Sequence, residues 1–164
     1  MKVLVSYIDD NHITATALIC DSAITRCKDP FFVPDGREWQ ALVLRGVVID
    51  RLGKGISSRF ADRYYSQCLS AAHPFATNIP DQDAYRWGRD GALIVSPPSD
   101  ASQIVSDKRE LLNNLIAEYS SSMTLKTGDM ILMAEPGSIL IEPKSYNIDI
   151  PPSNGFPRFT LKIR

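Results

Sequence analysis

Alternating apolar and polar residues predict that most of this chain forms short β-strands. Residues 2–7 place three apolar side chains on one face, as expected of a half-buried strand. Residues 13–20 are rich in Thr, Ile and Leu, and residues 39–49 form the longest apolar stretch, within which Gly46 predicts a bulge or a bend. Shorter apolar segments complete the predicted β content at 31–33, 92–95, 130–134, 138–141 and 159–163.

Two segments have helical periodicity instead. In 58–69 the apolar residues recur on one helical face, and serines precede them as possible caps. A second helix is predicted to begin near Asp107, which has the spacing of an N-cap with Glu110. Its apolar face continues to Tyr119, and the three serines that follow are expected to end it.

Length and composition indicate one ordinary globular domain over 1–164, with 44% hydrophobic and 23% charged residues. The 18 basic and 19 acidic side chains give a net charge of −1, which offers no broad electrostatic footprint for nucleic acid. No apolar run approaches the roughly 20 residues of a membrane span, and the first residues do not have the pattern of a signal peptide. We therefore predict neither a nucleic-acid partner nor a membrane partner.

The three cysteines contain no CxxC pair, which argues against a disulfide framework and fits a reducing cytoplasm. Cys20 and Cys27 could form a redox pair or could be small buried residues, whereas Cys68 is predicted to lie in the core. Cytoplasmic localisation is the expectation that follows.

The chain has only two histidines, His12 and His73. The common nucleotide, serine-hydrolase and zinc motifs are absent. His12 is predicted in a solvated turn, and His73, which precedes a proline, in a loop. Asp81 and Asp83 would share one face of a strand and could hold a hard cation, but the proline before them favours a polar loop.

The segment 123–132, MTLKTGDMIL, resembles the TLxPGDxIxTGTPxGVG signature of the fumarylacetoacetate hydrolase family. A helix precedes that signature in the family, as 111–122 does here, and the family's Gly-Thr-Pro corresponds to residues 134–136, Ala-Glu-Pro. Further segments resemble the family in the same order, at 21–35, 38–44, 53–56, 60–65, 91–94 and 159–163.

The resemblance implies a mainly β, α+β fold of layered mixed sheets with two short helices, like the C-terminal domain of the family. It also implies a homodimer and a small-molecule ligand. Members of the family are hydrolases and isomerases of small dicarbonyl acids that use Mg²⁺ or Mn²⁺.

Departures from the family pattern fall on its metal site. The two glutamates of the family's ExE motif correspond to Trp39 and Ala41, neither of which offers an oxygen ligand, and its later aspartate segment has no counterpart. The threonine of Gly-Thr-Pro is replaced by Glu135, beside Pro136. These four residues are the candidate substrate pocket, no metal cofactor is predicted, and the indole of Trp39 is predicted to occupy the place of the metal.

Two hypotheses on function follow. The leading one is a catalytically inactive member of the family that acts by binding or assembly. The alternative is a hydrolase or isomerase of small dicarbonyl acids with a rebuilt site, for which two of the four acids Glu38, Asp81, Asp83 and Glu135 would have to meet in one pocket. Whether the protein is an enzyme stays open at this point, as does the simpler possibility that the resemblance is accidental.

Overall fold

The sheet that dominates this protein is built from strands close together in the chain and from strands far apart. The computed structural model describes residues 1–10, 12–80 and 83–164. Its strands are β1 (Lys2–Asp9), β2 (His12–Cys20), β3 (Ile24–Arg26), β4 (Trp39–Ile49), β5 (Tyr65–Ala76), β6 (Leu93–Val95), β7 (Ser99–Asp100), β8 (Met130–Ala134), β9 (Ile139–Ile141), β10 (Tyr146–Ile150) and β11 (Phe159–Ile163). Its helices are α1 (Ala84–Gly88) and α2 (Ser106–Ser122), with short 3-10 helices at Asp21–Ala23, Ser58–Tyr64 and Ala101–Gln103.

Nine strands form one mixed sheet in the order β2-β1-β8-β4-β5-β6-β3, with β7 added beside β5 and β9 beside β4. The remaining two, β10 and β11, form an antiparallel pair. In the centre, β4 pairs antiparallel with both β5 and β8, whereas β1 runs parallel to β8. The predicted mainly β fold with a mixed sheet is therefore confirmed. None of the helices in the described part of the chain is both long and apolar enough to span a bilayer.

The elements predicted from local pattern are mostly present. The structure confirms β1, β2, β4, β6, β8, β9 and β11, and it confirms the second helix as α2. Val105, rather than Asp107, is the N-cap of α2, and the serines expected to end the helix form its last turn. The segment 31–33 is not a strand, because only Phe31 forms an isolated bridge, to Ile163.

The helix predicted over 58–69 is wrong. Residues Ser58–Tyr64 form a 3-10 helix, and the chain then enters β5 at Tyr65. Strand β5 lies between β4 and β6 and is almost entirely buried from Cys68 onward. The apolar positions of the predicted helical face divide between the 3-10 helix, which holds Phe60, Ala61 and Tyr64, and the first residues of β5, where Ser66 and Gln67 are exposed between buried residues.

Gly46 marks a close approach between strands rather than a bulge. It lies inside β4 opposite Leu132 of β8, and a Cβ atom at this position would lie 1.9 Å from the carbonyl oxygen of Ile131. The irregularity of β4 occurs further on, between Val48 and Ile49. Glycine is therefore required here because the neighbouring backbone occupies the space of a side chain.

The core lies on both sides of the sheet. On one side, here called the α2 face, Val47 and Ile131 pack against Leu112, Leu115 and Ile116 of α2. The opposite side, the α1 face, carries Leu44, Leu69 and Leu132 and is partly covered by Trp87 of α1. Successive residues of one strand serve opposite sides, as the period of two requires.

Asp129 joins the beginnings of β1 and β8. Its buried carboxylate accepts hydrogen bonds from the Lys2 amide at 2.7 Å and the Lys126 amide at 2.8 Å, and Lys2 Nζ lies 2.7 Å away. Burial raises the pKa of Asp129, but these hydrogen bonds outweigh burial and hold that pKa below its usual range. Because the two parallel strands start together, their carboxyl ends reach the same edge of the molecule.

Candidate functional site

A cleft of about 610 Å³ opens on the α2 face where β1 and β8 end. The first turns of α2 and the loop 151–157 form its other walls. The parallel strands β1 and β8 end side by side, so the residues that follow them meet in the cleft wall. Four charged residues line the cleft: Asp10, Arg45, Lys108 and Glu135.

Arg45 forms the floor of the cleft from the middle of β4. Its side chain points to the α2 face and is buried, with the residue only 3% exposed. Its Nε donates to Glu135 Oε1 at 3.0 Å, and its terminal nitrogens donate to the carbonyl oxygens of Pro157 at 3.0 Å and Pro151 at 2.7 Å, and to Ser70 Oγ. A buried guanidinium needs such compensation, and here one carboxylate and three neutral oxygens supply it.

Glu135 reaches the cleft because it directly follows β8. Its amide donates to the carbonyl oxygen of Val43 at 2.8 Å, which extends the β8–β4 pairing by one residue. Its side chain is 34% exposed, so one side of the carboxylate meets Arg45 and the other meets solvent. Pro136 continues the same wall.

Two further charges lie at the mouth of the cleft. Asp10 occupies the turn after β1, in the left-handed backbone region at φ +45°, and it is exposed. Lys108 lies in the first turn of α2 and is half-buried. Neither forms an ion pair with any residue in the described ranges. The Arg45–Glu135 pair is neutral as a unit, so Asp10 and Lys108 are the free charges of the cleft.

The structure separates the four residues of the predicted substrate pocket. Glu135 and Pro136 line the cleft, whereas Trp39 and Ala41 are buried in a third apolar cluster beside the β10–β11 hairpin. The Trp39 ring lies 5.4 Å from that of Phe31, and its Nε1 has no hydrogen-bond partner within the described ranges. Trp39 thus points into the core rather than to solvent, and its place at the family's metal position stays a prediction.

The remaining acidic candidates do not join Glu135. Glu38 is exposed just before β4 and is not part of the cleft wall. Asp83 caps α1, where its carboxylate accepts from the Tyr85 amide at 2.8 Å. Asp81 lies outside the described residues. Of the three candidates that the structure describes, Glu135 lines the cleft and Glu38 and Asp83 do not.

The prediction that His73 lies in a loop is wrong. It occupies β5 and is fully buried, and its ring stacks on Trp87 with 3.7 Å between centroids. Arg86 Nε donates to its Nε2 at 3.2 Å, so Nδ1 carries the proton and donates to the carbonyl oxygen of Ala92 at 2.6 Å. Burial lowers the pKa of His73 to about 3, with the charges of Arg86 and Arg89 acting in the same direction. His73 is therefore neutral and lies away from the cleft.

The side chains of the cleft do not fit a divalent metal ion. The described parts of the chain contain no group of three or more His, Cys, Asp or Glu side chains placed to hold one. Within the cleft, the Glu135 carboxylate is already bound to Arg45, and Asp10 is the other carboxylate. Hard cations require several converging oxygen ligands, and the positive charges of Arg45 and Lys108 oppose their binding.

Comparison with solved structures decides the fold. No protein-family model matches the chain, and no curated protein matches its sequence. The 2-hydroxyhepta-2,4-diene-1,7-dioate isomerase of Mycobacterium marinum matches 99% of this chain and 73% of its own, with a TM-score of 0.83 and 18% identity. A fumarylacetoacetate hydrolase family protein of Yersinia pestis CO92 matches 99% of this chain and 92% of its own, with a TM-score of 0.79 and 16% identity.

The chain has the fumarylacetoacetate hydrolase fold. The fumarylpyruvate hydrolase of Pseudomonas aeruginosa, solved in complex with Mn²⁺ and pyruvate, also has it, with a TM-score of 0.78, 11% identity, and coverage of 99% of this chain and 89% of its own. These matches confirm the fold expected from the resemblance.

Sequence reasoning missed the most buried charge of the cleft, although the sequence contains a signal for it. Arg45 is the only charged residue between positions 39 and 49, and a lone charge in an apolar strand needs a partner. Asp10 and Lys108 carry no such signal, because an acidic turn and a basic residue in a helix are ordinary surface features. Their place in the cleft follows only from how β1 and α2 pack.

Proposed function

We propose that this chain is a divergent member of the fumarylacetoacetate hydrolase family that binds a small organic acid in the cleft without turning it over by metal-dependent chemistry. The observation that carries this proposal is the Arg45–Glu135 pair, in which a buried guanidinium already binds the carboxylate of the cleft wall at 3.0 Å. The guanidinium of Arg45 thus gives Glu135 the positive partner that a bound metal ion would otherwise supply. Homodimer formation and cytoplasmic localisation remain predictions.

Small 2-oxo acids are the proposed ligand class. The related fumarylpyruvate hydrolase was solved with Mn²⁺ and pyruvate, an acid that combines a carboxylate with a carbonyl group. Here Lys108 supplies a free positive charge at the mouth of the cleft, at the end of α2 where the helix dipole favours an anion. The polar residues Ser153 and Asn154 on the opposite wall can donate to a carbonyl oxygen.

The alternative is a hydrolase or isomerase with a rebuilt site, and the exposed side of Glu135 favours it. A carboxylate that is 34% exposed in a cleft can accept a proton from water or from a substrate carbon. The hydrogen bond from Arg45 holds this carboxylate in place at the cleft wall. This alternative predicts turnover that depends on Glu135.

The test is calorimetric titration of pyruvate into chelator-treated protein, with and without Mn²⁺. We expect binding whose dissociation constant is unchanged by Mn²⁺ and rises about fivefold in Lys108→Ala, because one charge pair of about 1 kcal/mol is lost. Lys54→Ala, an exposed cation outside the cleft, is the matched control and should bind as the wild type does.

Glu135→Gln separates the two hypotheses. Removing the carboxylate leaves the charge of Arg45 uncompensated beside the ligand, so pyruvate should bind more tightly, by about tenfold if the gain is near 1.4 kcal/mol. Pyruvate binding that requires Mn²⁺ would contradict the proposal. Hydrolysis of an acylpyruvate that is lost in Glu135→Gln would contradict it too and would establish the rebuilt enzyme.

A further inference from the structure

A second cavity, of about 570 Å³, opens on the α1 face of the sheet, opposite the cleft. Its floor consists of apolar side chains from four neighbouring strands, β8, β4, β5 and β6. These are Met130, Val48, Leu69 and Val95. Leu69 is buried, but the other three are only half-buried.

These strands pair antiparallel, and an antiparallel sheet that faces water on one side normally presents polar residues there. A contiguous exposed apolar surface instead marks a place that something else covers. The volume falls within the roughly 300–1,000 Å³ of small-molecule pockets. The cavity therefore has the size and the lining of a site for an apolar group.

The rim of this cavity is positively charged. Arg26 ends β3 beside Val95, and Lys28 follows two residues later; both line the cavity and are exposed. In the described ranges neither forms an ion pair, whereas the nearby amino group of Met1 is already paired with Asp21 at 4.0 Å. Two unpaired cations at the edge of an apolar floor select a ligand with an anionic head and an apolar body.

We propose that this cavity binds an amphipathic carboxylate of the medium-chain fatty acid class. The alkyl chain would cover Val48, Val95 and Met130, and the carboxylate would lie against Arg26 and Lys28. A diacyl phospholipid shares the charge but has two tails, more than a single cavity of about 570 Å³ is suited to hold. This site is independent of the organic-acid cleft, because the two lie on opposite faces of the sheet.

The first experiment is a calorimetric chain-length series with octanoate, decanoate and dodecanoate, all below their micelle-forming concentrations. The dissociation constant should fall about fourfold for each added methylene, the gain expected from burying one such group.

The Arg26→Ala/Lys28→Ala variant tests the charged rim. It should bind dodecanoate about tenfold more weakly than the wild type and bind uncharged decanol equally well. Because both side chains are exposed, this variant should fold normally. Arg37→Ala/Lys54→Ala removes two exposed cations elsewhere and should change nothing.

The second experiment uses a native thiol as a reporter. Cys27 lies in the cavity wall and is half-buried, Cys68 is buried, and the exposed Cys20 can be replaced by Ser. Dodecanoate should slow maleimide labelling of Cys27 in Cys20→Ser severalfold, and decanol at the same concentration should slow it less.

Three results would overturn the proposal. They are a dissociation constant that does not change with chain length, binding that is equal for decanoate and decanol, and labelling of Cys27 that depends only on protein concentration. The last would show that a second copy of the chain covers this face. Each result is independent of the pyruvate titration, so the two proposals stand or fall separately.

Discussion

Two arginines of this protein are equally buried, each 3% exposed, yet they have different surroundings. Arg45 contacts the Glu135 carboxylate and opens towards a solvent-filled cleft. Arg86 donates to neutral His73 at 3.2 Å, and its guanidinium lies 3.8 Å from the centre of the Phe75 ring. The first cluster places charge where a ligand can reach it, and the second places it inside an aromatic stack.

The difference shows how the same side chain serves two purposes. A guanidinium paired with a carboxylate at a cleft contributes to the electrostatics of binding, and its removal leaves a charge and several oxygens unpartnered. A guanidinium stacked over aromatic rings contributes through its flat faces, and it also helps to keep a neighbouring imidazole neutral. The stability of the cleft cluster, Arg45 with Glu135, should therefore respond to charge substitutions. The stability of the His73 cluster, His73 with Phe75, Arg86 and Trp87, should respond to pH.

The largest effect is expected from Arg45→Met. The variant leaves the Glu135 carboxylate and the carbonyl oxygens of Pro151 and Pro157 without their donor. The carboxylate left behind is 34% exposed, so water compensates part of the lost pairing, and the expected cost is about 3 kcal/mol, the low end for a buried pair. The free energy of unfolding, measured by urea titration, should fall by that amount.

Arg51→Met is the matched control for Arg45→Met. The Arg51 side chain is 65% exposed and faces Asp50 at 3.6 Å, so its loss should change the free energy of unfolding by about 0.5 kcal/mol or less. A loss below about 1 kcal/mol in Arg45→Met would mean that the cleft cluster is no more than a surface pair.

The next effect is a dependence of stability on pH that comes from His73. The unfolded chain takes up a proton on this imidazole below its ordinary pKa of 6.5, whereas the folded chain does so only near its lowered pKa of about 3. The free energy of unfolding should therefore fall by about 1.4 kcal/mol per pH unit between about pH 6 and about pH 4. Above pH 6.5 this loss should be absent.

His73→Gln isolates this contribution from that of carboxylates such as Asp129, whose lowered pKa also favours unfolding in acid. The glutamine cannot take up the proton. Between about pH 6 and about pH 4, the free energy of unfolding of the variant should therefore change by about 1.4 kcal/mol per pH unit less than that of the wild type. Equal slopes for the two proteins would show that the imidazole of His73 is protonated in the folded state.

The smallest effect is expected from Trp39→Phe, and Trp87→Phe provides the comparison within the His73 cluster. Trp87 stacks on His73 at 3.7 Å and meets Tyr7 edge-on at 6.1 Å, so its replacement should cost about 2–3 kcal/mol. Trp39 loses contacts too, but its buried Nε1 donor has no partner, and removing an unsatisfied donor offsets part of that loss. The expected cost is about 1 kcal/mol or less, measured by thermal unfolding. Equal costs would mean that the Trp39 donor is satisfied in solution.

Local pattern was enough to predict the strands whose two faces differ and the helix with one apolar side. Strand β1 and helix α2 carry that information within a few residues, and both are present. Strand β5 does not, because the apolar residues at its start continue the helical spacing that begins in the 3-10 helix before it. Helix α1 was missed because five residues hold too little periodic pattern.

The candidate site was predictable only in part. Glu135 and Pro136 stood out because they align with the family's Gly-Thr-Pro, in which Glu135 replaces the threonine, and both line the cleft. Trp39 and Ala41 were chosen from the same resemblance, but they lie in a separate cluster beside the β10–β11 hairpin. The acidic candidate Asp83 acts as a helix cap, which is a local role that a spacing of two carboxylates does not reveal.

The sequence by itself determined the class of fold, most of the strands and the ordered run of segments that resembles one family. Each depends on neighbouring residues or on a motif read in order, so no contact between distant parts of the chain is needed.

Tertiary structure alone decided which charges meet. Arg45 and Glu135 are 90 positions apart and become partners only because β4 and β8 pair in one register. It also decided that His73 is neutral, because burial by α1 and its strand neighbours sets that pKa. Burial and long-range pairing are properties of the packed chain, and they turn ordinary residues into a charged cleft and a buried, pH-sensitive stack.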